Sequence, residues 1–297
     1  MTVAEASHRA TAKLSASPLA PVRDTPALDV SLILSHILGV PRSRLLAHPE
    51  LLLDGREEAF FEAIERRATG LPVAYITGKK EFWGLDFKVT PAVLIPKPDT
   101  ETLVERALEI VSRSSATPSP AGASEPLQVL DVCTGSGCIA ISITHAHPSL
   151  RMTATDISPA ALEVARENAG AILGSVDAIR FVEGDLRIGL PPASQGGYDL
   201  VVSNPPYVPT GIARDLLADG RSEPSLALDG GTDGLDLVRA LVENVYDVLA
   251  PGGRILIETG EYNARGAADY LRKKGFREVS IRKDLANNDR VVEGRRP

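Results

Sequence analysis

VLDVCTGSGCIA, residues 129–140, runs from an apolar stretch through two closely spaced glycines into a second apolar stretch. Gly135 and Gly137 let the backbone approach a ligand closely, and a helix is predicted to begin just beyond them. A buried strand, a Gly-x-Gly turn and a helix start, in that order, open a nucleotide-binding type of sheet. Dehydrogenases and methyltransferases share this unit. Asp131 lies inside the strand, ahead of the turn, and Ala140 stands where a full dinucleotide fingerprint asks for a third glycine. That fingerprint tolerates alanine there, so both classes stay open on this stretch alone.

From Leu127 onward, strand-like and helix-like segments alternate. LQVLDVC (127–133), RMTATD (151–156), AIRFVEGD (178–185), YDLVVSN (198–204) and GRILIET (253–259) read as largely apolar strands. SPAALEVARENAG (158–170) and DGLDLVRALVENVYDVLA (233–250) read as helices between them. The alternation predicts an α/β fold, a parallel sheet with helices on both faces. FREVSIR (276–282) and DRVVEGR (289–295) follow without an intervening helix, which predicts an antiparallel edge. SRSSATPSPAGASEP (112–126) is small, polar and proline-rich and reads as a flexible, exposed insertion.

Upstream the period is helical. TPALDVSLILSHILG (25–39) spaces Leu28, Leu32 and Ile33 for one helix face and ends at Gly39. DGREEAFFEAIERRATG (54–70) opens with an Asp-x-x-Glu capping pattern, Asp54 and Glu57, and turns Phe60, Phe61 and Ile64 inward. At Glu81 the pattern becomes alternating through Phe82, Leu85, Phe87 and Val89, a hairpin signature, and Asp99–Val111 returns to helical spacing.

Composition narrows the class. The chain has 297 residues, 43% hydrophobic and 24% charged, as in soluble globular proteins, and no apolar run approaches a membrane span. Its first 24 residues lack the apolar core of a secretory signal, which points to a cytoplasmic location. Their Ala/Ser-rich, acid-poor character leaves an organellar transit peptide as the alternative. Cys133 and Cys138 flank one glycine turn and read as reduced thiols, and the five scattered histidines suggest no metal site. Residues 1–98 carry 12 Lys/Arg against 11 Asp/Glu, whereas residues 99–297 carry 20 against 28. An acidic half of this kind argues against gripping nucleic acid through many phosphates, so no sequence-specific nucleic-acid binding is expected.

Candidate site residues lie at the predicted strand ends. Asp156, about twenty residues past the glycines, can accept hydrogen bonds from ribose hydroxyls. NAD and S-adenosylmethionine both carry that ribose. Asp185 can flank an exocyclic amine of adenine, with Leu186 on the ring face. The fourth strand ends in SNPPY (203–207), beside the glycine turn in a doubly wound order. Proline removes backbone donors and leaves carbonyls free to accept. Asn204 and the Pro205 carbonyl thus form an acceptor-rich pocket with Tyr207 as an aromatic lid. A planar NH2 group fits it: two acceptors hold the hydrogens and raise electron density at nitrogen as positive charge develops. This pattern resembles that of methyltransferases acting on adenine, cytosine, guanine or glutamine amino groups. A nucleic-acid amino-methyltransferase would add a basic groove and a target-recognition region, neither of which is evident. A binding module without catalysis, and a dehydrogenase, are the remaining alternatives.

Several runs together resemble the release-factor glutamine methyltransferase family: 72–105, 129–141, 203–207, EPSLALDGGTDGLD (223–236), LAPGGRILIETG (249–260) and 289–295. PKPDTE (96–101) is similar to the release-factor branch rather than to a sister family acting on a ribosomal protein. The resemblance implies an N-terminal helical substrate-binding domain (1–79), a β-hairpin linker (80–98) and a Rossmann-like seven-stranded methyltransferase domain (99–297), mostly parallel with one antiparallel edge strand. It implies S-adenosylmethionine as cofactor, S-adenosylhomocysteine as product, and a class I peptide chain release factor as partner, methylated on its Gly-Gly-Gln glutamine. By the same resemblance Thr134, Gly135, Ser136, Gly137, Asp156 and Leu186 contact the cofactor, with Asp131 and Asp185 beside them. Asn204, Pro205, Pro206 and Tyr207 hold the glutamine, Asn204 touching both ligands. The chain departs from the family in carrying Lys97 for Arg, Cys133 for Gly and Asn263 for Gln.

Overall fold

The structure, a computed structural model, describes residues 1–115, 125–218 and 222–297. The described residues form two compact units, one of Met1–Lys79 with residues from the 214–222 stretch, the other of Lys80–Ala213 and Glu223–Pro297. The first unit is helical: α1 (Val3–Ser15), α2 (Ala20–Arg23), α3 (Pro26–Leu38), α4 (Arg42–Ala47), α5 (Glu57–Ala68) and α6 (Val73–Thr77). Helix α1 arises from the stretch whose composition suggested a transit peptide. Thr2 and Glu5 form a reciprocal capping box, Thr2 Oγ1 accepting from the Glu5 amide and Glu5 Oε2 from the Thr2 amide. Val3, Ala6, Ala10 and Leu14 then recur at helical spacing and are buried in one cluster with Ile33, Leu34, Phe60 and Ile64. Half of this stripe is alanine, which is why it carries so little hydropathic signal.

Two expected details fail in this unit. The Asp54–Glu57 capping box does not form: Asp54 sits at φ +51°, and α5 starts behind Arg56 without a side-chain cap. In α3 the buried apolar residues are Val30, Ile33 and Leu34, while Leu28 is 42% exposed. The face turns because Asp29 is buried instead, paired with Arg67 of α5 at 2.6 Å. Arg67 also donates to the carbonyls of Gly70 and Leu71, so its buried charge is well compensated.

The second unit begins with a two-stranded hairpin, β1 (Lys79–Phe82) and β2 (Leu85–Lys88), closed by Trp83 and Gly84 at positive φ. Phe82 and Phe87 meet edge-on, 6.1 Å apart, and join the core of the large sheet. A short 3-10 turn at Pro98–Thr100 leads into α7 (Glu101–Ser115). That helix runs four residues into the predicted 112–126 loop; residues 116–124 of the loop lie outside the described residues.

There follow β3 (Gln128–Val132), α8 (Cys138–Ala146), β4 (Arg151–Asp156), α9 (Pro159–Leu173), β5 (Ile179–Glu183), β6 (Tyr198–Ser203), α10 (Thr210–Leu217), α11 (Asp236–Val248), β7 (Leu249–Glu258), α12 (Ala264–Lys273), β8 (Arg277–Lys283) and β9 (Asp289–Arg295). The seven large-sheet strands lie in the order β5-β4-β3-β6-β7-β9-β8. Pairing is parallel from β5 through β7, and β9 runs antiparallel between β7 and β8, so the antiparallel element belongs to an edge hairpin. Successive strand residues face opposite ways. Val129, Leu200 and Val202 pack in the cluster that holds α7 and α8, while Leu130, Val201 and Ile257 pack with α11 and α12.

Strand register positions the site. Val132 is level with Thr155 on one side and Ser203 on the other, and Ser203 is level with Ile257. Cys133, Asp156, Asn204 and Glu258 therefore follow at the same carboxyl end, where the strand order reverses. Ligands bind at such a switch point in open α/β sheets. Among the described residues no helix is long and apolar enough to cross a membrane.

Candidate active site

The glycine loop is held from beneath by carboxylates. Asp131 is fully buried, and its Oδ2 accepts from Thr134 Oγ1 at 2.6 Å and from the Ala140 amide at 3.2 Å. Burial pushes its carboxyl up to about 7 against those two hydrogen bonds. Asp156 Oδ2 accepts from the Gly135 amide and Oδ1 from the Ser158 amide, each at 2.9 Å. Burial raises its pKa as well, opposed by these backbone donors. Gly137, at φ +81°, starts α8, and a Cβ there would stand 2.8 Å from Ile141 Cδ1. Asn168 of α9 ties three elements: it donates to the carbonyls of Ser136 and Lys88 and accepts from the Lys88 amide.

Cys133 adopts φ +62°, the left-handed region in which glycine is unstrained. Backbone geometry would favour the glycine that the resemblance implies at this place, and cysteine is strained there. Burial, with Asp156 and Asp131 nearby, pushes its thiol well above the ordinary range. The thiol stays protonated.

The Asn-Pro-Pro-Tyr turn is held differently. Asn204 Nδ2 donates to Thr100 Oγ1 at 3.3 Å. That bond directs its Oδ1 away from Thr100 and leaves it an acceptor. The Tyr207 hydroxyl donates to Glu258 Oε1 at 3.2 Å, and its pKa is raised by burial and by that carboxylate. Asn263, short as it is, donates to the Tyr207 carbonyl at 2.9 Å and to the Gly234 carbonyl at 3.3 Å. The segment 228–234 backs the turn: Val208 donates to the Leu228 carbonyl, and Gly230 donates to the Val208 carbonyl. A Cβ on Gly230 would lie 2.7 Å from the Pro206 oxygen, and one on Gly234 would overlap the Tyr207 carbonyl.

A cavity of about 240 Å³ opens over these strand ends. Of the residues singled out in the sequence, Thr134, Gly135, Ser136, Asp156, Asp185, Leu186, Asn204 and Pro206 line it. Asp131, Gly137, Pro205 and Tyr207 stand off its wall: the first two shape the glycine loop and the last two shape the turn. Asp185 is clasped by Arg187, which holds its carboxyl below the usual range.

Two wall segments were not anticipated as site residues. Val93, Ile95, Lys97 and Thr100 come from the stretch after the hairpin, and Pro224, Leu226 and Ala227 from the EPSLAL run. Lys97 and Glu223 join them at 2.7 Å, with the Glu223 side chain buried. The first carried a signal in its three prolines, PAVLIPKP (91–98), which forbid a regular strand or helix there; EPSLAL, with one proline, carried little. Thr100 and Glu258, 2% and 1% exposed, gave no such signal.

Comparison with known proteins adds the following. Residues 5–78 match the family model of the PrmC N-terminal domain, and residues 122–219 match that of the methyltransferase small domain. A release factor glutamine methyltransferase of Moorella thermoacetica is 41% identical over 292 residues, 98% of this chain and 97% of that one. One of the same name from Burkholderia pseudomallei is 40% identical over 288 residues, 96% of this chain and 95% of that one. Among solved structures, the hMettl16 catalytic domain in complex with MAT2A 3'UTR hairpin 6 aligns with a TM-score of 0.54 at 13% identity, over 78% of this chain and 81% of that one. This last likeness speaks to the fold alone.

Proposed function

The chain belongs to the release factor glutamine methyltransferase family, and we propose that the Asn204–Tyr207 turn holds the reacting glutamine amide. The reaction is methylation, from S-adenosylmethionine, of the side-chain nitrogen of the Gly-Gly-Gln glutamine in class I peptide chain release factors. The observation that carries this reading is the fixed orientation of Asn204. Its NH2 is engaged by Thr100 while it sits on the wall of a cavity floored by the glycine loop. The Asn204 Oδ1 is left as an acceptor for the substrate.

The cavity fits S-adenosylmethionine by its donor set. Each Asp156 oxygen accepts one backbone N–H and retains a lone pair for a ribose hydroxyl. Gly135, at φ +55° with no side chain, lets the backbone approach; Leu186 offers an apolar wall and Asp185 an acceptor held ionised by Arg187. When bound, the cofactor supplies an electrophilic methyl group.

The remaining work is done by this chain. Asn204 Oδ1 and the Pro205 carbonyl accept the two hydrogens of the glutamine NH2 and hold its nitrogen toward the methyl group. An amide nitrogen is a poor nucleophile, so alignment at about 3–3.5 Å and preorganised acceptors lower the barrier. Tyr207, which stands off the cavity wall with its hydroxyl on Glu258, is assigned to holding the turn in place. No strong base is needed, because an alkylated amide nitrogen is acidic until it loses its proton. Residues 1–79 are assigned to docking the release factor and 80–98 to the linker. The site of action is that of translation, in the cytoplasm.

The test is transfer of labelled methyl from S-adenosylmethionine to a purified class I release factor, with the label located by peptide mapping. Label on the Gly-Gly-Gln glutamine is expected. Label absent there but present on nucleic acid would contradict the reading.

A further inference from the structure

Thr100, the partner of Asn204, closes the 3-10 turn Pro98–Thr100, and its own amide donates to the Lys97 carbonyl at 3.1 Å. Charges pin this turn at both ends. Lys97 is paired with the buried Glu223, and Asp99 Oδ2 lies 3.2 Å from Nη2 of Arg290 in β9. A turn this short, with φ of Pro98 fixed by its ring, has few soft torsions. Whatever holds Asp99 therefore holds Thr100.

Arg290 is 9% exposed and stands off the cavity wall. Its Nε and Nη2 donate to Asp284 Oδ2 at 3.1 and 3.0 Å. Nη1 donates to the Thr259 carbonyl at 3.4 Å, and the Thr259 amide returns a bond to the Arg290 carbonyl at 2.9 Å. Thr259 follows Glu258, which accepts the Tyr207 hydroxyl. One guanidinium thus reaches the neighbour of Thr100 on one side and the neighbour of Glu258 on the other. Thr100 and Glu258 hold the two ends of the Asn-Pro-Pro-Tyr turn.

We propose that Arg290 is a positioning residue for methyl transfer: it fixes the spacing of the Thr100 and Glu258 supports, and through them the place of the Asn204 acceptor. The inference rests on the reading above, in which this turn holds the glutamine amide. Burying an ion pair contributes little stability over well-packed apolar side chains, because desolvation offsets the attraction. What a guanidinium adds is direction, a planar fork with donors at fixed angles. Arg290 spreads that fork over three segments, at Asp99, Thr259 and Asp284. Arg282 supplies the contrast. It pairs with Glu109 at 2.9 Å, tying β8 to α7 away from the cavity wall.

The experiment measures kcat at saturating cofactor and release factor, cofactor Kd and melting temperature. The proteins are wild type, Asp99→Asn, Arg290→Lys, Arg290→Met, the double variant Asp99→Asn/Arg290→Met, and Arg282→Met. Arg290→Met should lower kcat by about 10²-fold with cofactor Kd within about threefold of wild type. Asp99→Asn should lower kcat by about tenfold, and the double variant should fall no further than Arg290→Met, since both changes cut one tie. Arg290→Lys, which keeps the charge without the fork, should lie between Arg290→Met and wild type. Arg282→Met should keep wild-type kcat whatever its melting temperature. Should Arg290→Met fail to fold, Arg290→Lys and the half-exposed Asp99→Asn decide the matter. Wild-type kcat in Asp99→Asn, kcat and cofactor affinity lost in equal proportion, or Arg282→Met as impaired as Asp99→Asn would each overturn the proposal. Wild-type protein that leaves the glutamine unmethylated, or normal transfer by Asn204→Ala, would instead overturn the functional reading, and the proposal with it.

Discussion

Asp131 grips the glycine loop from three residues away in the chain, whereas Asn204 is oriented by Thr100 from 104 residues away. The contrast extends to the other side-chain contacts of the loop and the turn. On the cofactor side, Asp131, the Thr155 carbonyl, Asp156 and Asn168 lie on the two strands and the helix that the loop itself connects or touches. On the acceptor side, the turn is held by Glu258 and Asn263, 51 and 56 residues on, and backed by Gly230 and Gly234. On the proposed reading, the cofactor, common to many reactions, is held by local wiring. A particular acceptor depends on segments gathered from the whole domain, and small changes far from the turn should therefore damage transfer more than binding.

The largest expected effect is that of Asn204→Ala. Loss of the acceptor should lower methyl transfer by at least about 10³-fold, measured in single turnover, while cofactor affinity weakens only modestly. Gly234→Ala should come next, since its Cβ overlaps the Tyr207 carbonyl and its φ is +74°. We expect a loss on the order of 3 kcal/mol in chemical denaturation, and impaired transfer in whatever folded fraction binds cofactor normally. Normal turnover in that variant would break the dependence of the turn on remote packing.

A smaller effect concerns pH. Asp131 titrates at about 7 in the folded chain, far above its unfolded value, so the native state holds a proton that the unfolded state has released. The stability this contributes is full below roughly pH 4 and is lost as pH rises through about 7. Melting temperature should decline across that window, and less steeply in Asp131→Asn. The smallest effect is Cys133→Gly. Relief of the left-handed strain is worth about 1 kcal/mol, and the greater freedom of glycine in the unfolded chain offsets about 0.4–1 kcal/mol of it. Stability should change by no more than about 0.6 kcal/mol.

The same contrast explains what could be read in advance. The alternating strands and helices after Leu127 are legible because each buried strand is a short apolar run and each turn a glycine or proline. Thr134, Gly135 and Asp156 are legible because the loop is local. Thr100 and Glu258 are not, since a threonine after Pro-Asp and a glutamate ending an apolar strand carry no sign of their distant partners. Helix α1 is hard to read for a different reason: Ala6 and Ala10, half of its buried stripe, carry little hydropathy. The Asp54 cap does not form: Asp54 and Gly55 both turn left-handed, and the helix starts behind Arg56 instead.

The most direct test of two separately wired halves sets Asp156→Asn beside Asn204→Ala, measuring cofactor Kd by calorimetry and single-turnover transfer at saturating cofactor for each. Asp156→Asn should weaken cofactor binding by about tenfold or more and leave saturated transfer near wild type. Asn204→Ala should do the reverse. If both variants lose binding and transfer in the same proportion, the two halves form one coupled site and the account is wrong.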